Sequence, residues 1–170
     1  ALLPVIAEER LHVGEVAFGL LRAAPGLGAA VMALFLAVRP LRRHVGRALL
    51  AAVFVFGAGT VVLGLTRSYA VAFVALIVLS AADMVSVFIR GSLVPLVTPD
   101  DKRGRVMAVA NVFIGASNEL GAFESGIVAQ AVGTPATVVG GGIATIAIVG
   151  VWYTAFPALR RVDRFEDLGH

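Results

Sequence analysis

Long apolar stretches alternate along this chain with short connections that carry most of its charge. Five stretches stand out, at residues 16–38, 48–66, 69–97, 106–132 and 136–159. At 1.5 Å rise per residue each is about long enough to cross a ~30 Å hydrocarbon core. Their apolar residues run on continuously and do not alternate with polar ones. That predicts helices and not barrel strands, since a helix satisfies its own backbone hydrogen bonds in lipid. The third and fourth stretches are long, so tilt or extension into the interface is expected. The pattern predicts an all-α membrane protein: a bundle of about five transmembrane helices over residues 1–159, then a cytoplasmic tail over 160–170.

Composition agrees with the pattern. The residues are 59% hydrophobic and 15% charged, against about 25% charged in globular domains, and the mean hydropathy is +0.93. Too few polar side chains remain to make a soluble skin. The absence of Cys excludes a disulfide framework, a thiolate metal site and a Cys nucleophile. His12, His44 and His170 lie far apart in loops or tail, which argues against a zinc site. No cofactor is implied. The net charge of +3 reads as loop arginines at the cytoplasmic face, not as a nucleic-acid surface. The first residues, Ala1 to Ala7, resemble the tail of another apolar segment with no basic region before it, so they are not a signal peptide. The chain is expected to be part of a longer protein.

The loops set the orientation. Arg39, Arg42, Arg43 and Arg47 follow the first stretch, Lys102, Arg103 and Arg105 follow the third, and Arg160, Arg161 and Arg164 lie in the tail. All fall on one side of the membrane. The other side has Arg10 and Arg67, offset by Glu8, Glu9 and Glu15. The positive-inside rule places the basic side, and so the C-terminus, in the cytoplasm. Trp152 and Tyr153 near the inner end, and Tyr69 near the outer end, are candidate interface anchors.

Ionisable groups also occur inside the stretches: Arg22 in the first, Asp83 and Arg90 in the third, Glu119 and Glu124 in the fourth. Each costs about 2.5–3.5 kcal/mol at mid-bilayer. These three helices are therefore expected to face protein or a water-filled cavity, leaving the second and fifth outside. Asp83 and Glu119 fall near the middle of their spans. A carboxyl group at that depth is a candidate proton carrier. Asp83 and Arg90 share a face, but about 10.5 Å of helix separates them, which argues against a direct ion pair. Arg22 and Glu124 lie at matching depths and form a candidate pair. Asn111, Gly115, Asn118, Glu119, Ala122 and Gly126 make one polar or small face of the fourth helix. That face suits a packing seam as well as a transport pathway. Pro25 favours a kink in the first helix, Ala24 and Gly28 form a small-xxx-small pair, and Gly140-Gly141-Gly142 marks a flexible opening of the last.

Two loops carry a family likeness. Pro99-Asp100-Asp101-Lys102-Arg103-Gly104-Arg105-Val106 resembles the Pro-acidic-x-x-Arg-Gly-Arg-Val loop joining helices ten and eleven in drug- and siderophore-exporting members of the major facilitator superfamily. Arg43-His44-Val45-Gly46-Arg47 resembles that superfamily's Asp-Arg-x-Gly-Arg-Arg loop, with Arg43 where the acid belongs. A gating ion pair made by that acid does not carry over. Ser117 to Gly126 is similar to helix eleven of such exporters. The resemblance implies the end of helix seven through helix twelve of a twelve-helix carrier. Its N-terminal half would be missing from this chain. It implies proton-coupled efflux of a small molecule by alternating access. The expected setting is a bacterial cytoplasmic membrane, and Arg-rich, Lys-poor usage also points to a GC-rich bacterium. The candidate pathway is Glu119, Asp83, Asn118, Asn111, Arg22, Glu124 and Arg90. Arg43, Gly46, Arg47, Arg103, Gly104 and Arg105 are candidate inner-gate residues, although plain positive-inside topology explains the same arginines.

Rival readings have less support. Gly115-Ala116-Ser117-Asn118-Glu119 approaches a nucleophile elbow but lacks its final Gly, and no His lies within a span to act as base. Gly57-Ala58-Gly59 opens no phosphate loop. No enzyme is therefore expected. A non-transporting membrane subunit or anchor, whose polar groups serve assembly, is the alternative.

Overall fold

The computed structural model describes residues 3–9, 14–41 and 43–156. Six helices follow one another: α1 (Leu3–Glu9), α2 (Glu15–Val38), α3 (Val45–Leu65), α4 (Tyr69–Val97), α5 (Arg103–Val132) and α6 (Thr134–Ala155). The five from α2 to α6 are each long and apolar enough to cross a membrane. The all-α architecture with five spans is as the hydropathy pattern predicts. Two starts come three residues earlier than predicted: α3 begins at Val45 and α5 at Arg103, because the arginines of both loops extend the first helical turn. The apolar N-terminal segment forms the short α1. Arg10, His12, Arg42, residues 157–159 of the predicted last span and the predicted tail 160–170, with Arg160, Arg161, Arg164 and His170, lie outside the described residues.

Four spans pack side by side in the order α6, α3, α4, α2. Glycine sets two of the three contacts. A Cβ at Gly28 would stand 2.2 Å from the carbonyl oxygen of Ile77, so α2 can cross α4 this closely only without a side chain there. Ala24, one turn earlier, is buried in the same seam with Leu21, Ala72 and Leu76. This is the small-xxx-small pair read from the sequence. The second crossing joins α3 to α6. A Cβ on Gly142 would stand 2.8 Å from the Gly57 carbonyl oxygen, and one on Gly64 would stand 2.8 Å from Val139 Cγ2. Gly142 is therefore a packing residue inside a continuous helix, where the sequence predicted a flexible opening. Gly140 and Gly141 face open space. In the α2/α4 seam the Tyr69 hydroxyl donates to the Ala17 carbonyl at 3.2 Å, so this aromatic ties two helices together.

Packing within the chain does not follow charge. α3, whose one charge is Arg47 in its first turn, lies between α4 and α6, while α5, which carries two glutamates, touches α6 over a small area and α4 over less. None of its residues is buried. Gly133 (φ +89°) makes the abrupt turn from α5 into α6, a backbone conformation that glycine adopts without strain.

Candidate functional site

Successive spans joined by short connections place residues 39–41, 43–44 and 98–102 at one end of the bundle and residues 66–68 and Gly133 at the other. The first end holds the basic loops. There the Arg103 Nε–H donates to the Pro95 carbonyl at 3.1 Å, while its terminal nitrogen pairs with Asp100. The guanidinium thus bridges the last turn of α4 and the first turn of α5. The local sequence explains the geometry. Proline at 99 favours ending the helix before it, and the Lys102 N–H closes a turn onto the Pro99 carbonyl at 3.0 Å. Arg43, Arg47 and Arg105 are exposed and make no ion pair among the described residues, whereas Gly46 is buried at the start of α3. A Cβ at Gly104 would meet nothing. Of the six gate-loop candidates, only Arg103 makes a bond between elements among the described residues.

In α4 the structure corrects the reading of Asp83 and Arg90. An Arg90 terminal nitrogen lies 4.0 Å from Asp83 Oδ1. Two turns of helix do not prevent the contact, because long side chains on a helix lean back toward its N-terminus. Arg90 lies along that direction, and its Nε–H donates to the Ser86 carbonyl at 3.3 Å on the way. The guanidinium therefore points toward the middle of the span, away from the nearer helix end. Ala52, Val53 and Phe56 of α3, Ala82, Asp83, Ser86 and Arg90 of α4, and Thr145 of α6 line an open cleft of ≈ 240 Å³ beside the pair.

A second opening, of ≈ 450 Å³, lies between α1, α3, α4, α5 and α6. Asn118, Gly121, Ala122 and Ser125 of α5 face Thr60 of α3 and Thr137 of α6 across it. Of the pathway candidates on α5, Asn118 lines this opening. Asn111, Glu119 and Glu124 are exposed on α5, and Arg22 is exposed on α2. Arg22 and Glu124 form no ion pair, contrary to the pairing proposed from depth, because α2 and α5 share no extensive contact. Among the described residues the small-residue face of α5 packs against nothing at its glycines: a Cβ at Gly115 or Gly126 would have no neighbour within 4 Å.

Sequence reasoning missed Ser86, Thr145 and Trp152. Ser86 was legible, since Asp83, Ser86 and Arg90 fall at i, i+3 and i+7 on one face. Thr145 carries no such mark. It bonds its own helix at the Gly141 carbonyl, 2.9 Å away, and faces Asp83 only through the α3/α6 crossing. Trp152 was read as an interface anchor, yet it lines an apolar chamber beside Arg90.

Five apolar spans, three of them with ionisable groups well inside, define the class: a polytopic helical membrane protein. A family model for transmembrane secretion effectors, transporters of the major facilitator type, matches residues 1–167, and the chain belongs to that family. No curated protein and no solved structure matches it significantly.

Proposed function

We propose that this chain is the C-terminal half of a twelve-helix carrier that exports a small molecule by alternating access, coupled to protons through Glu119. One observation carries the reading. α5 spans 30 residues, none of them buried, and bears Asn111, Asn118, Glu119 and Glu124. Two charges in lipid at about 2.5–3.5 kcal/mol each would disfavour that arrangement. The helix face is accounted for if the N-terminal half of the carrier and a water-filled pathway cover it. The likeness of the Pro99–Val106 loop to the helix ten–eleven loop of exporters supports the same placement, with the C-terminus in the cytoplasm of a bacterial cell. On this reading Arg103 fastens α4 to α5 at the inner gate, and the two helices move together.

The test is Glu119→Gln in the complete carrier, reconstituted in proteoliposomes. Transport driven by a pH gradient is expected to fall at least tenfold, while substrate exchange without a gradient persists. Undiminished gradient-driven transport would overturn the assignment of Glu119. Loss of assembly with no transport by the parent carrier would favour a non-transporting membrane subunit instead.

A further inference from the structure

The face of the α3/α4 pair turned away from α5 carries a groove of ≈ 520 Å³. Phe56, Thr60 and Leu63 of α3 border the opening toward α5, and none of them lines this groove. Its lining falls at i, i+1, i+4, i+5 and i+8 on both helices, from Phe54 to Val62 on α3 and from Ala70 to Val78 on α4. That spacing is one face of each helix. Every lining residue is Phe, Val, Ala or Gly, so no side chain there offers a hydrogen bond. A Cβ at Gly59 would stand 3.2 Å from Leu79 Cβ, so the missing side chain lets α3 approach α4 at the floor. Phe54 and Val74 stand exposed at the sides.

The groove begins near one end of the bundle and stops near its middle. Val62 lies about one turn from the end of α3 at Leu65, and Phe54 lies about 16 Å of helix from that end. Half of a ~30 Å hydrocarbon core is about 15 Å, so the groove has the depth of one leaflet. At its mouth is the connection 66–68, which joins the two helices that flank it. There the Ser68 N–H donates to the Thr66 hydroxyl at 3.1 Å. Arg67, between them, is exposed and makes no ion pair among the described residues. A basic side chain at the end of a span reaches the level of the headgroups. Hydrocarbon alone would fill the groove, but it leaves this cation without a partner.

From the leaflet-deep apolar groove and the cation at its mouth we infer that this face is a docking site for one anionic phospholipid. Its phosphate lies on Arg67, where the guanidinium donates charge-assisted hydrogen bonds, and one acyl chain lies in the groove between α3 and α4. A zwitterionic headgroup brings an ammonium as well, and the connection 66–68 has no carboxylate to receive it. The lipid occupies the leaflet at the 66–68 end, whichever way the chain is inserted. The inference needs the membrane spans and does not rest on the transport reading.

The complete protein is placed in nanodiscs of phosphatidylcholine containing phosphatidylglycerol with a diazirine midway along one acyl chain. After irradiation, labelled residues are identified by mass spectrometry. Label is expected to saturate and to concentrate on the groove residues, several-fold above Ile143, an exposed residue at similar depth on α6. Unlabelled phosphatidylglycerol should displace it, and phosphatidylethanolamine should not. Arg67→Gln should weaken groove labelling at low lipid dose about fivefold, the worth of one basic residue at an anionic surface. Arg67→Lys should retain most of it. Ala58→Phe, which fills the groove, should lose groove label while Ile143 keeps its own, a split that a misfolded variant would not give. Equal labelling of Ile143 and the groove, or equal displacement by both lipids, means ordinary boundary lipid and overturns the inference. So does unchanged labelling in Arg67→Gln. A groove shielded from label in a protein that runs as a dimer would assign it to a second copy and overturn the lipid. None of these readouts needs transport.

Discussion

Gly26 and Gly28 lie two residues apart on α2 and look alike in the sequence, yet their surroundings differ. A Cβ at Gly26 has no neighbour within 4 Å, whereas at Gly28 it would strike the Ile77 backbone. Backbone cannot yield as the end of a flexible side chain can, so Gly28→Leu must push α2 off α4. Overpacking of this kind costs about 1–3 kcal/mol. The melting midpoint of the purified carrier, followed by size-exclusion chromatography after heating, should fall by roughly 2–12 °C. Gly26→Ala should leave it within about 1 °C, as surface changes usually stay within ±0.5 kcal/mol. Sequence alone pointed to Gly28, through its spacing from Ala24, but not to Gly57 and Gly142. Those two belong to different helices and meet only once α3 and α6 cross. The Asp83–Arg90 contact was missed for a related reason. Spacing along an axis gives the separation of Cα atoms, while the direction in which a long side chain leans decides what its tip reaches.

Among the elements, the α4–α5 junction has the clearest internal logic. Proline ends one helix, a turn closes at Lys102, and Arg103 bonds across both ends. The pair with Asp100 is exposed, so solvent screens it and its worth is about 0.2–1 kcal/mol. Arg103→Gln should therefore speed amide exchange over residues 98–105 by only about 1.5- to 5-fold. Arg105→Gln, which removes a side chain with no ion pair among the described residues, should not change it. Equal effects from both would mean that the loop depends on net charge and not on the bond to Pro95. The helices themselves were legible because an apolar run of this length has few other stable forms in lipid. Their first turns were not, since arginines beside a span read as loop although they are good helix formers.

At the scale of the molecule, alternation of five spans puts both arginine-rich loops at one end, whichever way the chain is inserted. Orientation is then a matter of loop charge. The chain contains no Cys, so it adds no background to thiol labelling. Single cysteines replacing Ser68 and Asp101 should behave oppositely in intact cells. Ser68→Cys should react with a membrane-impermeant maleimide, and Asp101→Cys only after the cells are opened. The reverse result would invert the orientation and with it the placement of the gate loops.

Hydrophobic run length, loop charge and the Pro99–Val106 motif determined the class, the number of spans, the family and the expected sidedness, because each is written in local composition. Tertiary structure decided which helices touch. Asp83 and Arg90 become walls of a cleft only because Gly57 and Gly142 let α6 approach α3 and bring Thr145 and Trp152 beside them. It also left α5 with its carboxylates uncovered. A hydropathy pattern records how costly a residue is in lipid, but its neighbours depend on where two helix axes cross. That crossing is fixed by the absence of a few side chains distant in sequence.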